Sequence, residues 1–380
     1  MIDETTAPAE QELRELKSDT MFVNLGPQHP STHGVLRVGL TIEGELITKA
    51  VPDVGYLHRG TSKLAEVRGY HHCVVLTDRW DYVSAMPNNL AFCLAAERLL
   101  GAKPPPRAEA LRVIMCELNR VASHLVFFGT YGIDLGAFTP FLYAFREREM
   151  ILDLFEMVCG ARLTYNYIRL GGVMVDVTPD WIAKCREFLE FFKPRLPEYD
   201  DLLSFNPIFL ARTKGVGEIS RQAAVNWGLS GPNLRGSGVN YDVRKAEPYC
   251  GYERYDFEVA LGREGSCWDR YYCRMFEMAQ SVRIVEQALD ALPAGPVMAT
   301  GVAKFPKPAP GESYAHVEGS RGDLGIYLVS DGQATPYRLH VRAPCFINLA
   351  ILQELLVGKR VADVIAILGS IDIVLGEVDR

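Results

Sequence analysis

Two histidines four residues apart, His29 and His33, stand in the segment Gly26-Pro27-Gln28-His29-Pro30-Ser31-Thr32-His33-Gly34. Two prolines and two glycines restrict this backbone, so an imidazole on it is held rigidly and can donate or carry a proton near neutral pH. The same spacing also fits a tight turn ahead of a strand, with incidental histidines. A second polar group, Thr77-Asp78-Arg79-Trp80-Asp81-Tyr82-Val83-Ser84, interrupts an otherwise apolar helical region. Its Tyr82 is either a hydroxyl donor at a pocket or a core-packing ring, and composition alone favours packing. Asp134 is the single charge among the 21 residues from Leu125 to Phe145. A carboxylate in such apolar surroundings is costly unless something partners it.

Generic enzyme motifs are absent. Gly215-Val216-Gly217 lacks the third glycine of a dinucleotide fingerprint, and there is no P-loop, HExxH or GxSxG. The nine cysteines include no CxxC pair, so nothing here seeds a zinc ribbon, a thioredoxin-type site or an iron–sulfur cluster. Reduced, buried thiols are expected instead. Forty basic against 47 acidic residues give a net charge of −7, which argues against a general nucleic-acid binder. The polar first twenty residues lack the basic start and apolar run of a signal peptide, so secretion is not expected. The 125–145 stretch is long enough to cross a bilayer, but Gly129, Gly132, Gly136 and Pro140 break it. Two buried helix ends joined by a turn are expected there.

The elements that must position these residues read as α+β. Leu36, Val38, Leu40 and Ile42 alternate with polar or small residues as in a strand, and Gly44 turns the chain into a second strand from Leu46 to Val51. Helical spacing begins near Thr61. Helices are expected over Asn88–Leu100 with Gly101 as C-cap, Arg107–Phe128 closed by Gly129, Pro140–Cys159, Pro179–Lys193 and Asp269–Leu292. Wide apolar faces such as Leu111, Ile114, Met115, Leu118 and Val121 predict a bundle. Ala294 to Glu312 reads as a Pro/Gly-rich linker, followed by strands at Gly325–Val329 and Tyr337–Val341 and by two short helices. The expected division is a flexible segment over 1–20, a β-rich part over 21–60 and a central helical bundle over 61–293. A linker over 294–313 and a small α+β part over 314–380 complete it.

Several longer motifs then carry a resemblance. They are Gly26 to Gly34, Gly55-Tyr56-Leu57-His58-Arg59-Gly60, Arg79 to Ser84, Phe145 to Glu149, Asn166-Tyr167-Ile168-Arg169, Ser237 to Lys245 and Gly376-Glu377-Val378-Asp379-Arg380. Together, in order from about Met21 to the end, the sequence resembles the D-type (49-kilodalton) subunit family of the proton-pumping NADH:quinone oxidoreductase, complex I. That family is related to the large subunits of nickel–iron hydrogenases, whose fold the resemblance therefore implies. Hydrogenases hold their metals with two CxxC pairs; where these would fall, this sequence has Asp81 with Ser84 and Val374 with Glu377. No nickel site is expected, which disfavours a hydrogenase-branch redox subunit; a non-catalytic scaffold is the other alternative.

The resemblance implies a quinone-reducing subunit of the peripheral arm, transferring electrons from NADH to quinone in a respiratory complex that translocates protons. It implies that His33 and Tyr82 contact the quinone head group, that Asp134 holds the histidine, and that Arg79, Ser84 and Val374 line the same cavity. Arg59 matches an arginine beside a terminal 4Fe–4S cluster, which a neighbouring subunit supplies; this chain would bind no cofactor of its own, and quinone would be its substrate. Expected partners are the cluster-bearing B-type subunit, the C-type subunit and the membrane-embedded H-type subunit, on the cytoplasmic side of the cell's inner membrane. Two departures stand out. Thr164 occupies the position, two residues before Asn166-Tyr167, where many relatives carry a histidine near the cluster, and the linker before Tyr314 is shorter than the family pattern.

Overall fold

The computed structural model describes residues 20–28 and 34–380. Residues 1–19 and 29–33, and with them His29, His33 and nearly all of the segment expected to be flexible, lie outside the described residues.

The alternating run forms the middle of an antiparallel three-stranded sheet, β1 (Met21–Leu25), β2 (Arg37–Glu43) and β3 (Leu46–Asp53). Val38 and Leu40 face inward, opposite Pro52 and Ala50, and Gly44 makes the hairpin turn at φ +61°. The first strand is not signalled in the sequence; only Val23 and Leu25 of its residues are even partly buried, so its hydrophobic pattern is weak.

Helices follow: α1 (Thr61–Ala65), α2 (Tyr70–Thr77), α3 (Ala85–Leu100), α4 (Pro106–Asp134) and α5 (Thr139–Cys159). Gly101 closes α3 in the left-handed region as expected. Gly129, by contrast, does not close α4, which continues to Asp134. Gly136 closes it instead, at φ +88°, with its N–H on the Ile133 carbonyl at 2.9 Å and the Ala137 N–H on the Gly132 carbonyl at 2.7 Å. The reason lies in packing. A Cβ on Gly129 would sit 3.0 Å from the Phe141 Cα, so this glycine serves the close crossing of α5 rather than a turn. The 125–145 stretch is thus two helix ends joined by a turn.

A two-residue ribbon, β4 (Ile168–Arg169) and β5 (Gly172–Val173), precedes α6 (Pro179–Phe192). Short helices α7 (Arg195–Tyr199), α8 (Pro207–Thr213), α9 (Arg221–Asn226), α10 (Pro232–Gly236) and α11 (Val243–Ala246) lead to α12 (Cys267–Asp290), which opens on a Ser266/Asp269 capping box and crosses α4.

A second antiparallel sheet, β6 (Gly311–Gly319), β7 (Gly322–Ser330) and β8 (Arg338–Arg342), packs on α3. Here β6 occupies residues that read as the end of the linker and beyond it. Its inward side chains are Ser313, Ala315 and Val317, too small and too polar to register as a strand by hydrophobicity. Four short helices end the chain where two were expected: α13 (Pro344–Ala350), α14 (Leu352–Leu356), α15 (Asp363–Ile371) and α16 (Leu375–Asp379).

Two apolar cores result, and neither is sequential. One joins α2–α6 and α12 to the second sheet; the other joins β2 and β3 to the far C-terminal helices. The loop after α14 is stitched to β3, with Ile47 N–H on the Lys359 carbonyl at 2.9 Å and Gly358 N–H on the Ile47 carbonyl at 2.8 Å. All nine cysteines are free thiols and eight are buried. Among the described residues no helix is long and apolar enough to cross a membrane.

The turn between β6 and β7 is held from behind by Gly231. A Cβ there would lie 2.5 Å from the Gly322 Cα and 2.7 Å from the Arg321 carbonyl oxygen, both backbone atoms, and Gly231 already has φ +65°. Gly231→Ala is expected to destabilise the protein by roughly 2–5 kcal/mol, from overpacking and left-handed strain together. Melting temperature or the rate of limited proteolysis measures this, and parent-like stability would contradict it.

Candidate functional site

The polar segment after α2 is built by its own side chains. Asp81 Oδ1 accepts the N–H groups of Val83 at 3.2 Å and Ser84 at 3.1 Å, closing a turn that starts α3. Asn119 of α4 clamps that turn, accepting the Met86 N–H at 3.0 Å and donating to the Val83 carbonyl at 3.3 Å. Tyr82 is thereby fixed on the wall of a cavity of about 310 Å³. Val83, Val126, Thr130, Ile133 and Asp134 share that wall from α4 and the turn, and Arg321, Asp372, Ile373 and Val374 close it from the C-terminal side.

Three of the residues expected at one site therefore meet: Tyr82, Asp134 and Val374. Asp134 ends α4, and its Oδ2 lies over Gly369 of α15, 3.4 Å from where a Cβ would be. His33 lies outside the described residues, but its neighbour Gly34 packs on Leu375, next to Val374; a Cβ on Gly34 would fall 3.0 Å from Leu375 Cδ1. Ser84 sits beneath the wall, buried, with its hydroxyl 2.7 Å from that of Ser320. Burial, and then the neighbouring Asp81 carboxylate, raise the Tyr82 phenol, so it keeps its proton and remains a donor.

Arg59, Arg79 and Thr164 form a second, more exposed group. Arg59 is anchored by its N–H on the Arg380 carbonyl at 3.1 Å, and its guanidinium donates to the Arg79 carbonyl. Arg79 in turn donates to the Val75 carbonyl at 2.7 Å and lies 3.7 Å from Asp78. Asp78 is buried and accepts the Asn166 N–H at 3.4 Å, which brings in the loop where both Thr164 (φ +53°) and Asn166 (φ +48°) are left-handed. Burial pushes the Asp78 carboxyl up to about 6, against the hydrogen bonds from Asn89 and Asn166.

The residues that sequence reasoning missed are charged and buried. Arg321 stands at the tip of the β6–β7 hairpin, in the two-residue turn between the paired Gly319 and Gly322. It donates to Asp81 at 2.9 Å, to the Asp372 carboxylate at 3.2 Å and to the Asp372 carbonyl at 3.3 Å. Arg274 of α12 reaches the other oxygen of Asp372 at 3.4 Å. The only sequence signal for Arg321 is Gly319-Ser320-Arg321-Gly322, a tight turn, which says nothing of where the turn lands. Among the described residues no group of three or more His, Cys, Asp or Glu side chains could hold a metal ion.

The family model for the respiratory-chain NADH dehydrogenase 49 Kd subunit matches residues 134–309 and 300–380. The D-type subunit of the NADH-quinone oxidoreductase of Desulforamulus reducens is 52% identical over 364 residues, covering 96% of this chain and 99% of that protein. The D-type subunits of Bacillus anthracis and Bacillus mycoides are each 51% identical over 364 residues, with 96% of this chain and 100% of theirs covered. The chain belongs to this 49-kilodalton subunit family. It is a subunit of an NADH:quinone oxidoreductase of the complex I type, with other complex I subunits as its partners.

In this family member the ionic wall of the cavity depends on one guanidinium. Arg321→Met would leave the buried Asp81 carboxylate without an ion-pair partner and Asp372 with one fewer. The loss is expected to be about 3–5 kcal/mol, as when one partner of a buried pair is removed. It should be seen as depleted subunit in assembled complex; a variant that assembles at the parent level would show that the wall does not need Arg321.

Proposed function

We propose that the cavity bounded by Tyr82, Asp134, Arg321 and Val374 receives the head group of a quinone, and that this chain forms the quinone-reducing half-site of its complex. The observation that carries this reading is a protonated phenol and the Asp134 carboxylate beside Val83, Val126, Ile133 and Val374, in a space closed by the paired Arg321 and Asp372 and of a size that suits a small aromatic ring. Reduction to quinol takes two electrons and two protons, and negative charge develops on the carbonyl oxygens. A donor in a dry pocket stabilises that charge more than water does. Tyr82 donates to one oxygen. His33, carried over from the family resemblance, donates at the same end, and Asp134 favours its charged form. The packing of Gly34 on Leu375 supports this, because it brings the end of the histidine loop to the segment that lines the cavity.

Electrons would be supplied by a 4Fe–4S cluster held by a neighbouring subunit of the B type. The exposed guanidiniums at Arg59 and Arg79 supply positive charge to that face, which favours the reduced cluster. The C-type and H-type subunits complete the surroundings of the quinone, and the assembly lies peripherally on the cytoplasmic side of the membrane. A scaffold without catalysis has no use for a protonated phenol and a carboxylate together on the wall of one cavity.

Tyr82→Phe removes one hydroxyl and little volume, so assembly should hold. Quinone reductase activity in membranes is expected to fall roughly ten- to hundredfold, for a donor worth about 1–3 kcal/mol. Full activity would refute the role of Tyr82.

Thr164 cannot titrate, so the neighbouring cluster should lack the slope of about 59 mV per pH unit that one proton per electron produces. Asp78, raised to about 6 and bound to the same loop, confines any remaining slope to the acid side of neutrality. Thr164→His is expected to restore a slope around neutral pH. Redox titration of the cluster's paramagnetic resonance signal at several pH values measures both, and a full slope at alkaline pH in the parent chain would remove the significance of Thr164.

A further inference from the structure

At the cavity wall and behind it, three carboxylates meet two guanidiniums. Asp81, Asp372, Glu377, Arg321 and Arg274 are each no more than 4% exposed. Arg321 pairs with Asp81 and Asp372, and Arg274 pairs with Asp372. Glu377 is the carboxylate left over; its Oε2 accepts the Cys345 N–H at 3.2 Å. Arg380, the next guanidinium, faces both Glu377 and Asp379, so Glu377 is the one of the three acids with no close ion pair among the described residues and is the one that most readily keeps a proton in so dry a place.

The groups facing Glu377 fix where that proton rests. Asp81 approaches from the turn after α2, Arg321 from the β6–β7 hairpin and the Cys345 thiol from α13. On its own helix, Asp379 accepts the N–H groups of Gly55 at 2.8 Å and Leu57 at 2.7 Å, and Arg380 donates to the Val341 carbonyl at 2.7 Å. Burial and the Asp81 charge push the Glu377 carboxyl to about 7. The neighbouring thiol is itself raised far above its ordinary range by burial, so Cys345 does not compete for the charge.

Glu377 lies one layer from the cavity. A Cβ on the preceding residue, Gly376, would fall 2.5 Å from the Trp80 carbonyl oxygen and 3.1 Å from the Tyr82 ring. Val374, three residues before Glu377, lines the cavity. Asp81, with Arg321 paired to it, is the carboxylate adjacent to both Glu377 and Tyr82.

We propose that Glu377 is the proton store that recharges the Tyr82 end of the pocket, an inference that rests on the quinone reading above. When Tyr82 gives its O–H proton to a quinone oxygen, a phenolate remains. The carboxyl O–H of Glu377 then breaks, its proton passes by way of the Asp81 carboxylate, and the Tyr82 O–H re-forms. Glu377 is left as a carboxylate and takes its next proton from water. No electron moves in this step. Glu377 touches no substrate, so it acts through Tyr82.

The experiment uses membranes holding the intact complex, with Glu377→Gln and Glu377→Asp variants assayed for quinone reduction from about pH 5.5 to 9. The parent rate should decline as pH rises through about 7, because the store empties as Glu377 ionises. Glu377→Gln should be slower by at least about tenfold at acid pH and should lack that decline. Glu377→Asp, which keeps an acid, should recover rate and show a displaced decline. Infrared difference spectra of the complex should contain a protonated-carboxyl band that titrates with the same midpoint and is missing in Glu377→Gln. A Gln variant with the parent's rate and pH profile overturns the proposal, as does an unshifted decline in the Asp variant should the Gln variant not assemble. If Tyr82→Phe is slow while Glu377→Gln is normal, this inference alone fails; if Tyr82→Phe is normal, the quinone reading fails first.

Discussion

The guanidinium of Arg321, placed between Asp81 and Asp372, is the interaction on which the site depends. It joins three stretches far apart in sequence: the turn that carries Tyr82, the hairpin tip between β6 and β7, and the segment that carries Val374. A buried ion pair is a poor source of net stability, since desolvation offsets most of the attraction, but it is strict about geometry. Here it sets how the cavity wall closes. The back-to-back glycines, Gly231 and Gly322, let the hairpin tip come near enough for Arg321 to reach.

The wall continues inward as a larger ionic network. One turn along α12 from Arg274, Glu277 binds Arg235 at 2.6 Å and His124 at 2.9 Å. Arg235 binds Glu318 at 2.8 Å, and Arg244 joins Asp242 at 2.7 Å to Glu117 at 3.1 Å. Burial works against the ionised form of Glu117, but Arg120 and Arg244 with the hydroxyls of Ser281 and Tyr252 hold it at about 2. Paired in this way, charged residues take over from apolar packing in the middle of α4, where Arg112, Glu117, Arg120 and His124 are all fully buried. α4 therefore acts as the spine of both the bundle and the polar interior.

What is legible in the sequence follows from how local each signal is. The β2 alternation, the Gly101 cap of α3 and the paired helix ends around residue 136 depend on neighbours within a few positions, and all are readable. Gly129 misleads because a glycine that admits a crossing helix and a glycine that ends a helix look alike in one dimension. β6 escapes notice because its inward face is built of Ser313, Ala315 and Val317. At the site, Tyr82, Asp134 and Val374 are named through family resemblance, and they do share one cavity. Arg321 and Asp372 are not, since the pairing that gives them meaning spans 51 residues to each other and 240 from Arg321 to Asp81.

The same dryness has two consequences that have to be considered together. It raises the Tyr82 phenol and it raises the Glu377 carboxyl, so that each holds its proton more firmly than in water. Water admitted to the wall would weaken both, because solvation favours the ionised form of each group. The wall is accordingly made from a two-residue hairpin turn and from helix ends clamped by Asn119 and Asn348, which holds the Arg321 carbonyl at 3.0 Å. A longer, looser loop could bring the same side chains together, but it would also let water reach them, and the carboxylates would then titrate in the ordinary acid range. Rigidity of the Arg321 turn is thus an electrostatic requirement of the site as well as a mechanical one.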